Sequence, residues 1–130
     1  MRRGTEYGRS MQSILAVDDS VSMRQMLAHT LRQAGYEVVE AVDGIDALEK
    51  AAERPFDLVL TDHNMPRMDG LALTALLREQ PGMREVPVLI LTTESDPQLK
   101  AAGRSAGATG WLLNPFDPAR LLGVIRDVRR

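Results

Sequence analysis

Short apolar runs and amphipathic stretches alternate along this chain. Ile14-Leu15-Ala16-Val17 is a continuous apolar run that ends in acid, the pattern of a strand buried on both faces. Met23, Met26, Leu27, Thr30, Leu31 and Ala34 then follow a 3.6-residue period, with Ser20 or Ser22 as the starting cap and Gly35 as the stop. Tyr36 to Ala41 is rich in β-branched residues and predicts a second strand. Ile45, Leu48 and Ala51 or Ala52 mark a second helix, capped by Asp43 and closed before Pro55. A third strand is expected over Phe56 to Thr61, and a third helix on Leu73, Leu76 and Leu77 with Asp69 as its cap. Val86 to Leu91 predicts a fourth strand that tolerates Pro87 near its start. Leu99, Ala102 and Ala106 give a small-faced fourth helix ending near Gly107. Gly110 to Leu113 is a fifth strand, and Leu121, Leu122, Ile125 and Val128 make the last helix. Met1 to Gln12 shows neither period and is expected to be a flexible extension, with the domain running from 13 to 130.

Five β-α units whose strands lack polar alternation imply an α/β fold, a parallel sheet covered by helices on both faces. Right-handed crossovers make such a sheet doubly wound. Its ligand site lies beyond the carboxyl ends of the strands. The chemistry-bearing residues fall at those ends. Asp18 and Asp19 follow the first strand, and Asp62, His63 and Asn64 follow the third. Thr92, Thr93 and Glu94 follow the fourth, and Asn114-Pro115 follows the fifth. Three carboxylates converging on one sheet edge raise one another's pKa, and a hard cation relieves that cost. Magnesium takes oxygen ligands, typically one or two carboxylates with water and phosphate. A carboxylate can itself accept a phosphoryl group as an acyl phosphate, with the cation neutralising the transferring charge. His63 reads as a partly exposed loop residue and His29 as a mid-helix structural one.

Composition narrows the function classes. A chain of 130 residues with 44% hydrophobic and 26% charged residues fits one globular domain. No apolar run approaches the roughly 20 residues that span a bilayer, and no signal peptide is visible, so the cytoplasm is the expected compartment. The net charge of −2 gives no electrostatic case for nucleic acid. There is no cysteine, which excludes disulfides and thiolate metal sites.

Four segments in order, VDDS at Val17 to Ser20, TDHNMPRMDG at Thr61 to Gly70, LTTE at Leu91 to Glu94 and GATGWLLNPF at Gly107 to Phe116, resemble the receiver domains of two-component response regulators, most of all the stand-alone, CheY-like chemotaxis regulators. The resemblance covers residues 13 to 129. It implies a flavodoxin-like sheet of order 2-1-3-4-5. It implies that Asp62 is the phosphoacceptor. It places Mg2+ on Asp19 directly, on Asp18 mainly through water, on Asp62, and on the backbone carbonyl of Asn64. Thr92 would be the switch hydroxyl and Trp111 the aromatic that swings inward with it, while Asn64 and Glu94 would tune attack by water. The implied partners are a histidine kinase as donor and a target protein, a flagellar motor switch among the candidates, reading the face of helix 4, strand 5 and helix 5. No membrane partner and a monomer are expected. An Asn114-Pro115 cis bond is also a family feature.

One position departs from the pattern. The family's lysine before the proline that follows strand 5 is Asn114 here. A charge-assisted hydrogen bond contributes about 1.5–3 kcal/mol, so its loss would weaken phosphoryl stabilisation roughly ten- to a hundredfold. Arg67 and Lys100 are candidate substitute cations. The departure motivates a second reading, a pseudo-receiver docking module or a phosphate sink. An independent enzyme is disfavoured, because acids rather than a glycine-rich phosphate loop follow strand 1. Only self-phosphorylation and self-dephosphorylation are expected.

Overall fold

A computed structural model describes residues 12–93 and 96–128. The N-terminal extension, apart from Gln12, and Glu94 with its proposed tuning role lie outside the described residues. The elements alternate as β1 (Ser13–Val17), α1 (Val21–Gln33), β2 (Glu37–Ala41), α2 (Gly44–Glu53), β3 (Leu58–Asp62), α3 (Gly70–Leu77), β4 (Val88–Thr92), α4 (Pro97–Ala106), β5 (Gly110–Leu113) and α5 (Pro118–Val128). The strands form one parallel sheet of order β2-β1-β3-β4-β5, as the resemblance implied.

Successive strand residues point to opposite faces, and both faces are apolar. Ile14, Ala16, Leu58, Leu60, Leu89 and Leu91 meet Leu27 and Leu31 of α1 and Leu121 and Ile125 of α5. Leu15, Val17, Val59, Val88 and Ile90 meet Ala47 and Ala51 of α2 and Leu73 and Leu77 of α3. The helices start where short polar side chains can accept from free backbone N–H groups. Ser20 accepts from the Met23 amide at 3.3 Å, Asp43 from Asp46 at 2.8 Å and Asp69 from Ala72 at 2.8 Å. Gly107 ends α4 in the left-handed region at φ 99°, a conformation that favours glycine.

Three local features differ from the sequence reading. β4 begins after Pro87 rather than through it, because the proline has no N–H for the ladder, although its carbonyl accepts from Val59 at 2.9 Å. β3 extends through Asp62, so the third acid is the last residue of its strand. A 3-10 turn at Pro81–Met83 follows α3 and buries Met83.

That turn is anchored by Arg78, which ends α3. Its guanidinium donates to the carbonyl oxygens of Met83 at 2.5 Å, Val86 at 2.6 Å and Gly107 at 2.8 and 3.0 Å. One planar fork thus ties the entry to β4 to the end of α4. Replacing it strands partly buried carbonyls. Arg78→Met is therefore expected to lower the free energy of unfolding by at least about 2 kcal/mol, measured by urea denaturation. An unchanged midpoint and slope would show that water replaces the guanidinium without cost.

Candidate phosphoryl and metal site

The register of the sheet builds the site. Val17 pairs with Thr61, so the next residues, Asp18 and Asp62, leave adjacent strands side by side. Asp62 in turn pairs with Leu91, which places Thr92 one residue further on the neighbouring strand. A donor oxygen from each of Asp18, Asp19 and Asp62 lies within 4.8 Å of the other two. Asp18 is buried, Asp62 is half-buried and Asp19 is exposed. The sequence-level expectation of three acids at one edge is thus met by coordinates, with a graded burial that the sequence did not specify.

The acids are held by backbone as well as register. Asp18 accepts from the Ser20 amide at 2.9 Å, and its own amide donates to Ala41 at 3.2 Å. Burial pushes the Asp18 carboxyl above its ordinary range, the nearby Asp19 charge adds to this, and the Ser20 amide and Arg24 oppose it. Burial, followed by the charges of Asp18 and Asp19, pushes Asp62 up to about 6, against a hydrogen bond from the His63 backbone. Among the described residues no ion pair joins a cationic side chain to Asp62. Of the two candidate substitutes for lysine, Arg67 is directed to Asp43 at 3.7 Å and is largely exposed. Lys100 is exposed and lines a cavity with Thr92 and Trp111 instead.

Asn64 is exposed in the loop that follows β3, and among the described residues no hydrogen bond occupies its carbonyl. The loop is folded back on His63, whose carbonyl accepts from Met65 at 3.1 Å and from Gly70 at 2.9 Å. Thr92 is buried at 2% exposure, and its carbonyl accepts from the Asn114 amide at 2.7 Å. Position 114 is therefore tied to the end of β4 through its backbone. The Asn114-Pro115 bond is cis, and the Asn114 Oδ1 is buried with no partner among the described residues. Trp111 is half-buried on the side of α2 and α3. The cavity of about 400 Å3 beside it is lined by Thr92, Lys100, Leu113, Phe116 and Arg120, on the face made by α4, β5 and α5.

Two residues of this neighbourhood escaped the sequence reading. Arg24 donates to the Asp18 carbonyl at 2.7 Å and pairs with Glu40 at 3.2 Å, only 11% of its side chain being exposed. In the sequence it reads as one charge on a solvated helix face, and its only signal is an opposite charge at the end of β2. Gly103 lies under the indole of Trp111, where a Cβ would come within 2.5 Å of Nε1. Nothing in the small-residue face of α4 singles it out.

A hard divalent cation fits this donor set. Three carboxylate oxygens within 4.8 Å of one another, two of them on carboxyls whose pKa burial has raised, are the ligand type magnesium takes.

The response regulator receiver domain profile matches residues 14–126. The chain is 34% identical over 113 residues to Protein PilG of Pseudomonas aeruginosa, an alignment covering 87% of this chain and 84% of PilG. It is 36% identical to the transcriptional regulatory protein PrrA of Mycobacterium tuberculosis, covering 96% of this chain but only 53% of PrrA, so it spans about half that relative's length. Among solved structures, the chemotaxis protein CheY4 of Vibrio cholerae superposes with a TM-score of 0.89 at 48% identity, covering 91% of this chain and 98% of that one. The receiver domain of a Pseudomonas aeruginosa sensor histidine kinase, with magnesium coordinated in its active-site cleft, gives 0.84 at 30% identity, covering 91% and 97%. No helix of the described residues is long and apolar enough to cross a membrane.

The raised Asp62 carboxyl makes a signed prediction. Its folded pKa of about 6 exceeds the ordinary value of 3.8, so the folded state holds its proton more tightly than the unfolded state. Stability is then highest at low pH and falls as pH rises between about 4 and about 6. In chelator, Asp62→Asn is expected to melt above wild type at about pH 7, and the gap should close as pH drops through this window. Thermal melts across the range check this, and a gap independent of pH would contradict it.

Proposed function

The chain belongs to the response regulator receiver domain family, and on that footing we propose that it is a phosphorylation-switched signalling protein whose acceptor is Asp62. The observation that carries this reading is the convergence of Asp18, Asp19 and Asp62 to within 4.8 Å at the carboxyl edge of the sheet. Asp18, Asp19, Asp62 and the Asn64 carbonyl would hold Mg2+. When bound, the cation offsets the charge that accumulates on the phosphoryl oxygens. An Asp62 carboxylate oxygen attacks phosphorus, and the bond from phosphorus to the donor's histidine nitrogen breaks. The electron pair leaves with that nitrogen, which then takes a proton. An acyl phosphate remains on Asp62, and attack by water returns the carboxylate and inorganic phosphate.

The Thr92 hydroxyl is the group we assign to the phosphoryl oxygen, and Trp111 the aromatic that responds. Asn64 and Glu94 are assigned to tuning the attack of water. The donor is a histidine kinase. The output is binding of a target at the α4, β5 and α5 face, and the likeness to a chemotaxis protein of 48% identity makes a motor-switch component the first candidate. No catalysis beyond self-phosphorylation and self-dephosphorylation is assigned, and the site of action is the cytoplasm.

Asn114 favours a second reading. Without the lysine, Asp62 and its phosphoryl group lack a charged partner from β5, which would leave a docking module or a phosphate sink. One experiment separates phosphoryl acceptance from docking alone. Wild type, Asp62→Asn and Asn114→Lys are incubated with magnesium and a phosphorylated histidine kinase, and protein-bound phosphoryl is followed over time. Asp62→Asn is expected to incorporate none. Asn114→Lys is expected to raise the extent or rate of incorporation roughly ten- to a hundredfold, the worth of one charge-assisted hydrogen bond. Incorporation by Asp62→Asn at the wild-type rate would sink the acceptor assignment. A wild type inert until lysine is restored would establish the docking reading.

A further inference from the structure

His63 has no part in the scheme above, yet it stands between its two ends. It follows Asp62 directly, and its ring meets the indole of Trp111 edge to face, with centroids 5.7 Å apart and planes at 74°. That is the preferred arrangement of aromatic rings, a positive edge against a negative face. The backbone of His63 is fixed on both sides. Its amide donates to Leu91 at 2.8 Å, and its carbonyl accepts from Met65 and Gly70 at 3.1 and 2.9 Å.

The contact also costs something. The His63 Nδ1 and the Trp111 Nε1 are both buried without a hydrogen-bond partner among the described residues. Neither of these nitrogens anchors its ring, so packing keeps each ring in place. Part of that packing is Gly103 of α4. A Cβ at position 103 would lie 2.5–2.7 Å from the indole's Nε1, Cζ2 and Cε2. The indole therefore packs against both the ring next to the acceptor and a notch in α4 that exists because residue 103 has no side chain.

We infer that His63 is a positioning residue, whose ring packs against Trp111 and, with the Gly103 notch, holds the indole in its observed seat, and so links the acceptor strand directly to α4 and β5. The inference rests on the reading of Trp111 as the responsive aromatic. It adds a route from Asp62 to that aromatic that does not pass through Thr92. Movement at the end of β3 reaches the indole by contact, in a protein where position 114 offers no charge.

Trp111 is the single tryptophan of the chain, so its fluorescence reads the seat without ambiguity. The test compares wild type, His63→Ala and His63→Phe as full chains in the unphosphorylated state, by acrylamide quenching corrected for lifetime and by emission maximum. An aromatic edge contact shifts an inward-to-outward ratio by about two- to tenfold. His63→Ala is expected to raise the quenching constant and red-shift the emission, and His63→Phe to restore both. Circular dichroism melts identify any variant that has lost its fold, and the phenylalanine variant keeps the comparison decisive if alanine does. Unchanged quenching in His63→Ala, or an increase that His63→Phe does not reverse, overturns the inference. Failure of the phosphoryl-acceptor reading shows itself separately, in phosphotransfer to wild type, since the quenching comparison needs no phosphoryl group.

Discussion

Parallel strands that end together must put their next residues together. In this protein those residues are acids. The pairing of Val17 with Thr61 brings Asp18 alongside Asp62, and Asp19 completes a triad in which, among the described residues, no ion pair engages Asp62. Like charges in a partly buried site disfavour the ionised state, so the sheet edge is the least comfortable part of the molecule. A shift of one residue in β1, β3 or β4 would exchange the side chains packed against α1 and α5 with those packed against α2 and α3, so the fit of both layers holds this arrangement in place. The same register that stabilises the fold therefore concentrates charge where a cation and a phosphoryl group can use it.

The rest of the site distributes around this constraint. Arg24 approaches the acids without neutralising Asp62. It takes the Asp18 backbone carbonyl and Glu40, fixing the position of β1's end. Asn114 is joined through its amide to Thr92, which carries the pairing of the fifth strand with the fourth one residue past Leu113. Trp111, His63 and Gly103 lie on the opposite flank, where contact is steric and aromatic. Electrostatics dominate on the β1 side of Asp62 and packing dominates on the β5 side. The pocket next to Trp111 opens on the second of these, on the surface assigned to a target.

Much of this was legible in the chain because it depends on neighbours in sequence. Ser20, Asp43 and Asp69 cap their helices from one position away, and Gly107 adopts a conformation other residues resist. Arg78, Arg24 and Gly103 were not legible. Each acts on an element distant in the chain, and each looks ordinary where it stands. Arginine near a helix end reads as a solvated charge, and glycine among alanines reads as one more small residue. The start of β4 was placed early because an apolar pattern marks burial, and the missing N–H of Pro87 decides ladder membership independently.

By itself the sequence determined the order of elements, the apolar character of both faces of the sheet, and the acids at the ends of the first and third strands. Periodicity and capping carry that information, since both are set by local geometry. The tertiary structure alone decided that Asp18 would be buried and Asp19 exposed, that Arg67 would pair with Asp43 and Lys100 line the cavity beside Trp111, and that His63 would meet Trp111. Those outcomes depend on where side chains from different strand ends fall once the sheet has twisted and the helices have docked. A linear pattern specifies which residues meet an edge, but the distances and the local dielectric that set their chemistry exist only in the packed chain.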